Sequence, residues 1–227
     1  MSDQQHHFND PAAVANYAAG PARVVPGWAD MMRMTDILLC ERAPSDANVL
    51  VVGAGGGLEL KLLATNHANW RFVGVDPASE MLRLAQAMLG PLASRVNLFE
   101  GYVDTSPSGP YDAATCLLTM HFVPREERRG LLKAIRQRLK PRAPLVTAHL
   151  SFEQASSERA TWLARYAAFG ASSGIDPEKA QAGAEAVGSR LPILSPAEDE
   201  LLLREAGFSG TQLFYAGFSF RGWVSYA

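Results

Sequence analysis

Apolar residues follow two different spacings along the middle of the chain, and these spacings alternate. Short β-branched runs are typical of strands buried on both faces, and they occupy residues 48–52, 70–75, 95–99, 112–118 and 144–150. Apolar residues three and four positions apart predict helices at residues 58–65, 79–89 and 125–139. Because parallel neighbours need a crossover connection, the alternation predicts βαβ units in a mostly parallel sheet.

The segments that flank this alternating core have other patterns. Two helices are predicted before it, at residues 11–17 and 26–42. Residues 151–195 are rich in Ala, Ser, Glu and Gly with scattered aromatic residues, which indicates a helical insertion. A last helix at residues 196–206 is followed by two runs that predict an antiparallel hairpin, residues 211–216 and 218–226.

We therefore expect an α/β chain with a Rossmann-like, doubly wound sheet, divided into four parts. Residues 1–46 form a helical N-terminal cover, and residues 47–150 form the cofactor-binding core. Residues 151–195 form a helical cap insertion, and residues 196–227 supply a helix and a hairpin that complete the sheet.

Composition narrows the classes of partner. The 227 residues are 48% hydrophobic and carry a net charge of −2, so no global basic field favours a nucleic acid or an anionic membrane. No apolar run approaches the ~20 residues of a spanning helix. Cys40 and Cys116 lack CxxC spacing, which favours a reducing, cytoplasmic location.

The first ten residues are polar and lack the basic start and apolar run of a signal peptide, so none is expected. His6 and His7 lie in this segment, and we assign them no role because chain ends are usually poorly ordered. No metal site is predicted from the sequence.

A glycine-rich loop directly follows the first predicted strand, with Gly53, Gly55 and Gly57 at alternate positions. Without Cβ atoms, such a turn can tighten and allow a ligand to touch the backbone. The helix that follows offers free N–H groups to an anion. The alternative is a turn whose glycines serve packing only.

Asp76 follows the second predicted strand, which places a carboxylate beside the glycine loop at the same edge of the sheet. There it can accept hydrogen bonds from a ribose diol. It can also cap the helix that begins near Pro77. The two roles are compatible because a carboxylate has two oxygens.

The spacing of the glycines separates classes of nucleoside cofactor. A dinucleotide loop needs G-x-G-x-x-G, but Leu58 stands at its third position, which disfavours a nicotinamide dehydrogenase. No Gly-Lys-Ser/Thr follows the turn, so a phosphate-binding P-loop is excluded.

The chain resembles class I S-adenosylmethionine-dependent methyltransferases. The resemblance extends from about Tyr17 to Trp223 and rests on the order and spacing of residues 49–58, 72–82, 111–115, 139–141 and 205–208. It implies a seven-stranded sheet with an antiparallel last strand and S-adenosylmethionine as the cofactor.

The resemblance also implies a set of cofactor-binding residues. Gly53, Ala54 and Gly55 are expected against the methionine part, Asp76 on the ribose hydroxyls, and Pro77 and Met81 beside the adenine. The remaining expected contacts come from the same edge and the cover; they are Gly57, Tyr102, Val103, Leu118 and Tyr17.

Methyl transfer from a sulfonium requires alignment and exclusion of water more than covalent catalysis. His121 and His149 lie at the ends of the fourth and fifth predicted strands and are candidate general bases. The alternative is that they only hydrogen-bond to the backbone at the rim. Aromatic residues of the cap, including Trp162 and Tyr166, either line an acceptor pocket or form the core of the cap.

Our leading hypothesis is a methyltransferase that acts on a small organic acceptor. A second hypothesis is methylation of tRNA or another macromolecule, motivated by a basic stripe on one predicted helix: Arg125, Arg128, Arg129, Lys133, Arg136 and Arg138. A third is a non-catalytic S-adenosylmethionine-binding regulatory protein, because Val51 and Tyr102 stand where many relatives carry acids. A homodimer is also considered.

Overall fold

A computed structural model describes residues 20–227. Its helices and strands are α1 (Gly20–Val24), α2 (Trp28–Cys40), β1 (Asn48–Val52), α3 (Leu58–Asn66), β2 (Arg71–Asp76), α4 (Ser79–Leu89), β3 (Val96–Glu100), β4 (Ala113–Leu117), α5 (Arg125–Arg138), β5 (Pro144–Leu150), α6 (Ser156–Ser172), α7 (Pro177–Arg190), α8 (Pro196–Glu205), β6 (Ser209–Gly217) and β7 (Phe220–Tyr226).

The seven strands form one sheet in the order β3-β2-β1-β4-β5-β7-β6. The first five strands pair in parallel, whereas β7 is antiparallel to both of its neighbours. This confirms the predicted α/β fold with a reversed last strand. The strand order changes direction between β1 and β4, and open α/β sheets bind ligands at the carboxyl side of such a switch point.

Apolar side chains on the two faces of the sheet form two separate cores. Helices α2, α3 and α4 cover one face, where Leu60 and Leu63 of α3 are fully buried. Helices α5 and α8 cover the other face, where Ile135 and Trp223 are fully buried. Helices on both faces hold the parallel strands in register. None of the helices in residues 20–227 is long and apolar enough to cross a membrane.

Element boundaries differ from the predicted ones for local reasons. The helix predicted at residues 26–42 begins only at Trp28, because Gly27 before it takes a left-handed conformation with φ of 64°. Short 3-10 turns at Gly90–Arg95, Val103–Thr105 and Met120–Phe122 were not predicted. The helix predicted at residues 11–17 lies outside the described residues.

A buried ion pair joins the two helices on the second face. Arg128 of α5 and Asp199 of α8 are both almost completely inaccessible, and Nη1 of Arg128 lies 3.0 Å from Oδ1 of Asp199. The guanidinium also donates to the carbonyl oxygens of Val123 and Pro192. Because these acceptors complete its hydrogen bonding, the buried charge is tolerated.

Removing one charge of this pair is expected to destabilise the fold. Asp199→Asn leaves the Arg128 guanidinium buried without its counter-ion, and we expect a loss of about 3–5 kcal/mol in the free energy of unfolding. Urea titration followed by circular dichroism measures it. Glu205→Gln, which removes an exposed partner of Arg129, is the control and should cost about 0–1 kcal/mol. Equal losses in the two variants would contradict the assignment.

Candidate functional site

Three loops meet at the carboxyl edge of the sheet, and Asp76 connects all of them. We call residues 53–57, 77–78 and 101–103 the donor loops. The Asp76 carboxylate accepts hydrogen bonds from the N–H groups of Gly55 and Ala78, both at 2.9 Å. Its backbone carbonyl accepts from the N–H of Gly101 at 3.0 Å. The end of β2 therefore sets the position of the loops that follow β1 and β3.

The glycine loop is a compact turn that only glycine tolerates at key positions. The N–H groups of Gly53 and Ala54 both donate to the carbonyl of Val75, at 2.8 and 3.0 Å. Gly53 has φ of 70°, and a Cβ atom there would lie 2.0 Å from Oγ1 of Thr119. Gly53 therefore has a packing role against the residue that follows Leu118, and the interpretation in which the loop serves packing only stays an alternative.

Gly57, the last glycine of the loop, packs against helix α4. It has φ of 83°, and a Cβ atom there would lie 2.8 Å from the Cα of Ala85 in α4. Helix α3 starts at the next residue, so its first N–H groups face the loop. A helix start beside a glycine turn is suited to an anionic group such as a carboxylate.

Asp76 keeps capacity for a ligand despite its two backbone partners. Each carboxylate oxygen has about two acceptor positions, and each is hydrogen-bonded to one N–H group. Burial raises the pKa of this carboxyl, and the hydrogen bonds from Ala78 and Gly55 counteract part of the rise. The bond from Ala78 comes from the N-cap residue itself, so Asp76 is not the N-cap of α4 that the sequence also allowed.

A small apolar patch lies beside Asp76, apart from the two main cores. It consists of the buried residues Ala78 and Met81, with the partly buried Leu84 against them. Pro77 is exposed at the patch, and Tyr102 is 58% exposed at the end of the next strand. Val103, in contrast, is buried in the core of the second face. Of these residues, Pro77 and Met81 are the ones that the sequence predicts beside the adenine.

Leu118 follows β4 in a conformation that is uncommon for a residue with a side chain. Its φ is 54°, and its N–H donates to the carbonyl of Ala148 at 2.6 Å. Non-glycine residues in the left-handed region occur at functional sites because the surrounding structure holds them there. Leu118 leads directly to Thr119, which packs against Gly53.

His121 is buried, and one of its ring nitrogens is held by the backbone. Its Nδ1 accepts a hydrogen bond from the N–H of Leu150 at 3.3 Å, so in the neutral ring the proton is on Nε2. Burial, together with His149 and Arg128, lowers its pKa well below the usual value. The ring is neutral at physiological pH, and its only lone pair on nitrogen is already engaged.

His149 is also buried and belongs to the ion-pair network of the second face. Its Nε2 lies 3.1 Å from Oδ2 of Asp199, and its ring packs 5.5 Å from that of Trp223. Burial would raise the pKa of Asp199, but His149 and Arg128 hold it below the usual value. The sequence could not reveal this partner, because Asp199 lies 50 positions downstream on another helix.

Glu59, in the first turn of α3, is a buried acid that was not singled out from the sequence. It follows the glycine loop and lies near Thr115 of β4, and burial raises its pKa to about 7, an effect that the Thr115 hydroxyl reduces in part. One of its carboxyl oxygens is buried without a hydrogen-bond partner. The sequence does contain a signal for this buried acid, because Glu59 stands between apolar residues in the helix Leu58–Asn66.

Helix α6 lies at the same edge as the donor loops and is held by the hairpin. The hydroxyl of Ser219 donates to the carbonyl of Trp162 at 2.8 Å. The rings of Tyr166 and Phe220 also lie near each other, with centroids 6.2 Å apart. Tyr166 packs against the first core, so the aromatic residues of the cap are at least partly core, one of the two predicted alternatives. Tyr17 lies outside the described residues.

Residues 49–142 match the family model of the methyltransferase domain. These residues therefore form a methyltransferase domain, and the chain has the class I S-adenosylmethionine-dependent methyltransferase fold. Among curated proteins, it is 26% identical to a carboxy-S-adenosyl-L-methionine synthase of Chromohalobacter salexigens, over 96% of this chain and 82% of that protein. It is 30% identical to ribosomal RNA large subunit methyltransferase F of Cronobacter sakazakii, over 43% of this chain and 36% of that protein.

Solved structures share the fold across nearly the whole chain. Human N-acetylserotonin methyltransferase in complex with S-adenosylmethionine has a TM-score of 0.67 at 14% identity, over 96% of this chain and 57% of that chain. An O-methyltransferase family protein from Burkholderia thailandensis has a TM-score of 0.72 at 14% identity, over 98% of this chain and 62% of that chain. This chain therefore spans about three fifths of the length of these structures.

The buried Glu59 makes a specific prediction about pH. Its pKa in the folded chain is about 7, against 4.5 for the exposed group, so the folded state favours the protonated carboxyl. Stability from this group is complete below pH 4.5 and is lost as pH rises toward 7. Glu59→Gln should remove this part of the fall in the free energy of unfolding, measured by urea titration at several pH values. Exposed Glu41→Gln should behave as wild type, and an unchanged slope in Glu59→Gln would refute the buried-acid assignment.

Proposed function

We propose that the protein binds S-adenosylmethionine across the donor loops and transfers its methyl group to a small organic acceptor. The observation that carries the proposal is the Asp76 carboxylate, which is tied to the glycine loop and still has acceptor capacity. A ribose diol would donate to those remaining positions. The methyltransferase-domain match over residues 49–142 supports the same cofactor.

In the proposed binding mode, each donor loop holds one part of the cofactor. Gly53, Ala54 and Gly55 face the methionine part, whose carboxylate is suited to the start of α3. The adenine would rest beside the apolar patch of Ala78 and Met81. The other residues that we assign to this site are Gly57, Pro77, Tyr102, Val103 and Leu118. Tyr17 is assigned to it as well and lies outside the described residues.

The chemistry asks little of individual side chains. Methyl transfer is an in-line displacement in which the sulfur loses its positive charge as the acceptor atom bonds to carbon. The protein accelerates it by aligning the two atoms and excluding water. Helix α6, held at this edge by Ser219, is placed to cover the reacting groups.

We infer that His121 and His149 position the strand ends and do not take a proton from the acceptor. The Nδ1 of His121 is engaged by Leu150, and His149 lies against Asp199. A general base needs a lone pair within hydrogen-bond reach of the acceptor. Both imidazoles are buried, and the bond from Leu150 favours the backbone alternative for His121, whereas His149 faces a carboxylate instead.

Two of the six basic residues of the α5 stripe, Arg128 and Arg138, are turned into the chain, which favours a small acceptor over a nucleic acid, although the other four are exposed. Arg128 is buried against Asp199, and Arg125 pairs with Glu198. Arg138 donates to the backbone carbonyls of Asp104 and Ser106. Phosphate binding needs cations that are available at the surface. The structural neighbours named as O-methyltransferases and as an N-acetylserotonin methyltransferase support small acceptors.

A second candidate function follows from the similarity to the carboxy-S-adenosyl-L-methionine synthase. That similarity covers 96% of this chain, which is more than the match to the ribosomal RNA enzyme covers. In this candidate the cofactor is itself the molecule that is modified, and the same donor loops would hold it.

We propose a cytoplasmic location from the state of the two cysteines. Both cysteines are free, Cys40 at the surface and Cys116 in the core, which suits a reducing cytoplasm. A homodimer stays a prediction.

Binding of S-adenosylmethionine is the direct test. Isothermal titration should show binding by the wild-type protein, and Asp76→Ala should weaken it by about 1–3 kcal/mol through loss of a charge-assisted acceptor. Asp104→Ala, at an exposed residue beside the same loop, is the matched control and should bind normally. Absence of heat with the wild-type protein at high micromolar concentration would refute the proposal.

The pH dependence of this binding gives a second readout of Asp76. Protonation removes its negative charge and turns one acceptor oxygen into a donor, so affinity should fall as pH drops through its pKa, which burial raises above the usual value. Asp76→Ala should lose this dependence, and an equal fall in both proteins would refute the role of the carboxylate.

Mass spectrometry of the cofactor after incubation with acceptor mixtures separates the candidates. The demethylated cofactor together with a methylated small molecule supports the leading proposal, whereas a carboxylated cofactor, formed when a carboxyl-group donor is included in the mixture, supports the second candidate. Salt-sensitive gel shifts with RNA would favour a macromolecular acceptor. Binding without any turnover would favour a regulatory protein.

A further inference from the structure

Three metal-ligating side chains converge away from the donor loops. Asp36 and Cys40 lie four positions apart on α2, on one face of the helix, and His67 directly follows α3. Nε2 of His67 lies 2.5 Å from Oδ1 of Asp36 and 3.7 Å from Sγ of Cys40, and the Cys40 sulfur is 3.9 Å from the same carboxylate oxygen. One nitrogen, one oxygen and one sulfur thus surround a common point.

The convergence does not suit nucleophilic catalysis. A cysteine–histidine–aspartate triad needs the acid on one ring nitrogen and the thiol on the other, so that the ring can pass a proton between them. In this cluster both Asp36 and Cys40 approach Nε2 of His67. Ligands that point at one centre are what a metal ion requires.

We propose that Asp36, Cys40 and His67 bind a Zn²⁺ ion, with water as the fourth ligand. Thiolate, imidazole and carboxylate are the side chains that zinc prefers, and the mixed set disfavours the harder Mg²⁺ and Ca²⁺. Usual zinc–ligand distances place tetrahedral sulfur–nitrogen and sulfur–oxygen pairs roughly 3.6 Å apart, close to the 3.7 and 3.9 Å in the structure. Only the nitrogen–oxygen pair, at 2.5 Å, must open, to roughly 3.3 Å.

Neighbouring groups already orient two of the ligands. The Asn66 amide donates to Oδ2 of Asp36 at 2.7 Å and leaves Oδ1 toward the cluster. The ring of His67 stacks on that of Trp70, with centroids 3.7 Å apart and planes 12° apart. The indole of Trp70 in turn donates to the carbonyl of Pro44. Such outer contacts strengthen metal sites by limiting the movement of the ligands.

The site would act as a structural clamp. It joins α2, which covers one face of the sheet, to the far end of α3, which begins at the glycine loop. The nine residues of α3 separate it from that loop by roughly 13 Å, so the metal would take no part in methyl transfer. Because the ligands come from two elements, metal binding would stabilise the contact between them.

Cobalt substitution tests the ligand set directly. Addition of Co²⁺ to the metal-free full-length protein should produce thiolate-to-cobalt charge-transfer absorption at one equivalent, and Zn²⁺ should abolish it. Cys40→Ser should lose the absorption, whereas Cys116→Ala, at the other cysteine, should keep it. Asn66→Ala should keep the absorption and bind Zn²⁺ roughly 10–100-fold more weakly.

Further variants keep the test decisive. Zn²⁺ should raise the melting temperature of the wild-type protein but not that of His67→Gln, and Asp30→Asn on the same helix should respond as wild type. A variant with His6 and His7 replaced by Ala should retain the site. Absence of the absorption in wild type, its persistence in Cys40→Ser, or its loss with the two terminal histidines would overturn the proposal.

Discussion

The carboxyl edge of this sheet depends on one partly buried carboxylate. Parallel strands bring three loops to the same place, but the backbone bonds of Gly53 and Ala54 to Val75 fix only the first loop to β2, and a further group must connect all three. Asp76 does so, through its two oxygens on Gly55 and Ala78 and its carbonyl on Gly101. A partly buried acid is stable there because backbone N–H groups satisfy it, so the same bonds that hold the loops also hold the charge.

Much of the fold was predictable from local patterns. Buried strands such as β1 and β5 are continuous apolar runs, and the hairpin of β6 and β7 follows from a turn between two such runs. Gly53 and Asp76 could be placed together because both follow neighbouring strands, and parallel strands end at a common edge. The class of cofactor came from the order of these motifs, more than from any one of them.

The remaining features depend on contacts between distant parts of the chain. Nothing near His149 indicates that Asp199 will lie against it, and the approach of Cys40 to His67 follows from the docking of α2 on α3. Likewise, Thr119 packs so closely against Gly53 that no side chain fits at that position, and the glycine motif alone does not reveal this contact. Such juxtapositions are set by tertiary packing, which spacing in the sequence does not encode.

The cap is anchored to the hairpin of β6 and β7, so the part of the chain that covers the acceptor is held separately from the loops around Asp76. Helix α6 is held through Ser219 and Phe220, whereas the donor loops are held through Asp76 on the opposite half of the sheet. Residues 156–190 can therefore diverge without disturbing the loops around Asp76. Within one lineage, such a division lets the range of accepted compounds broaden or shift while the shared reagent continues to be recognised in the same way.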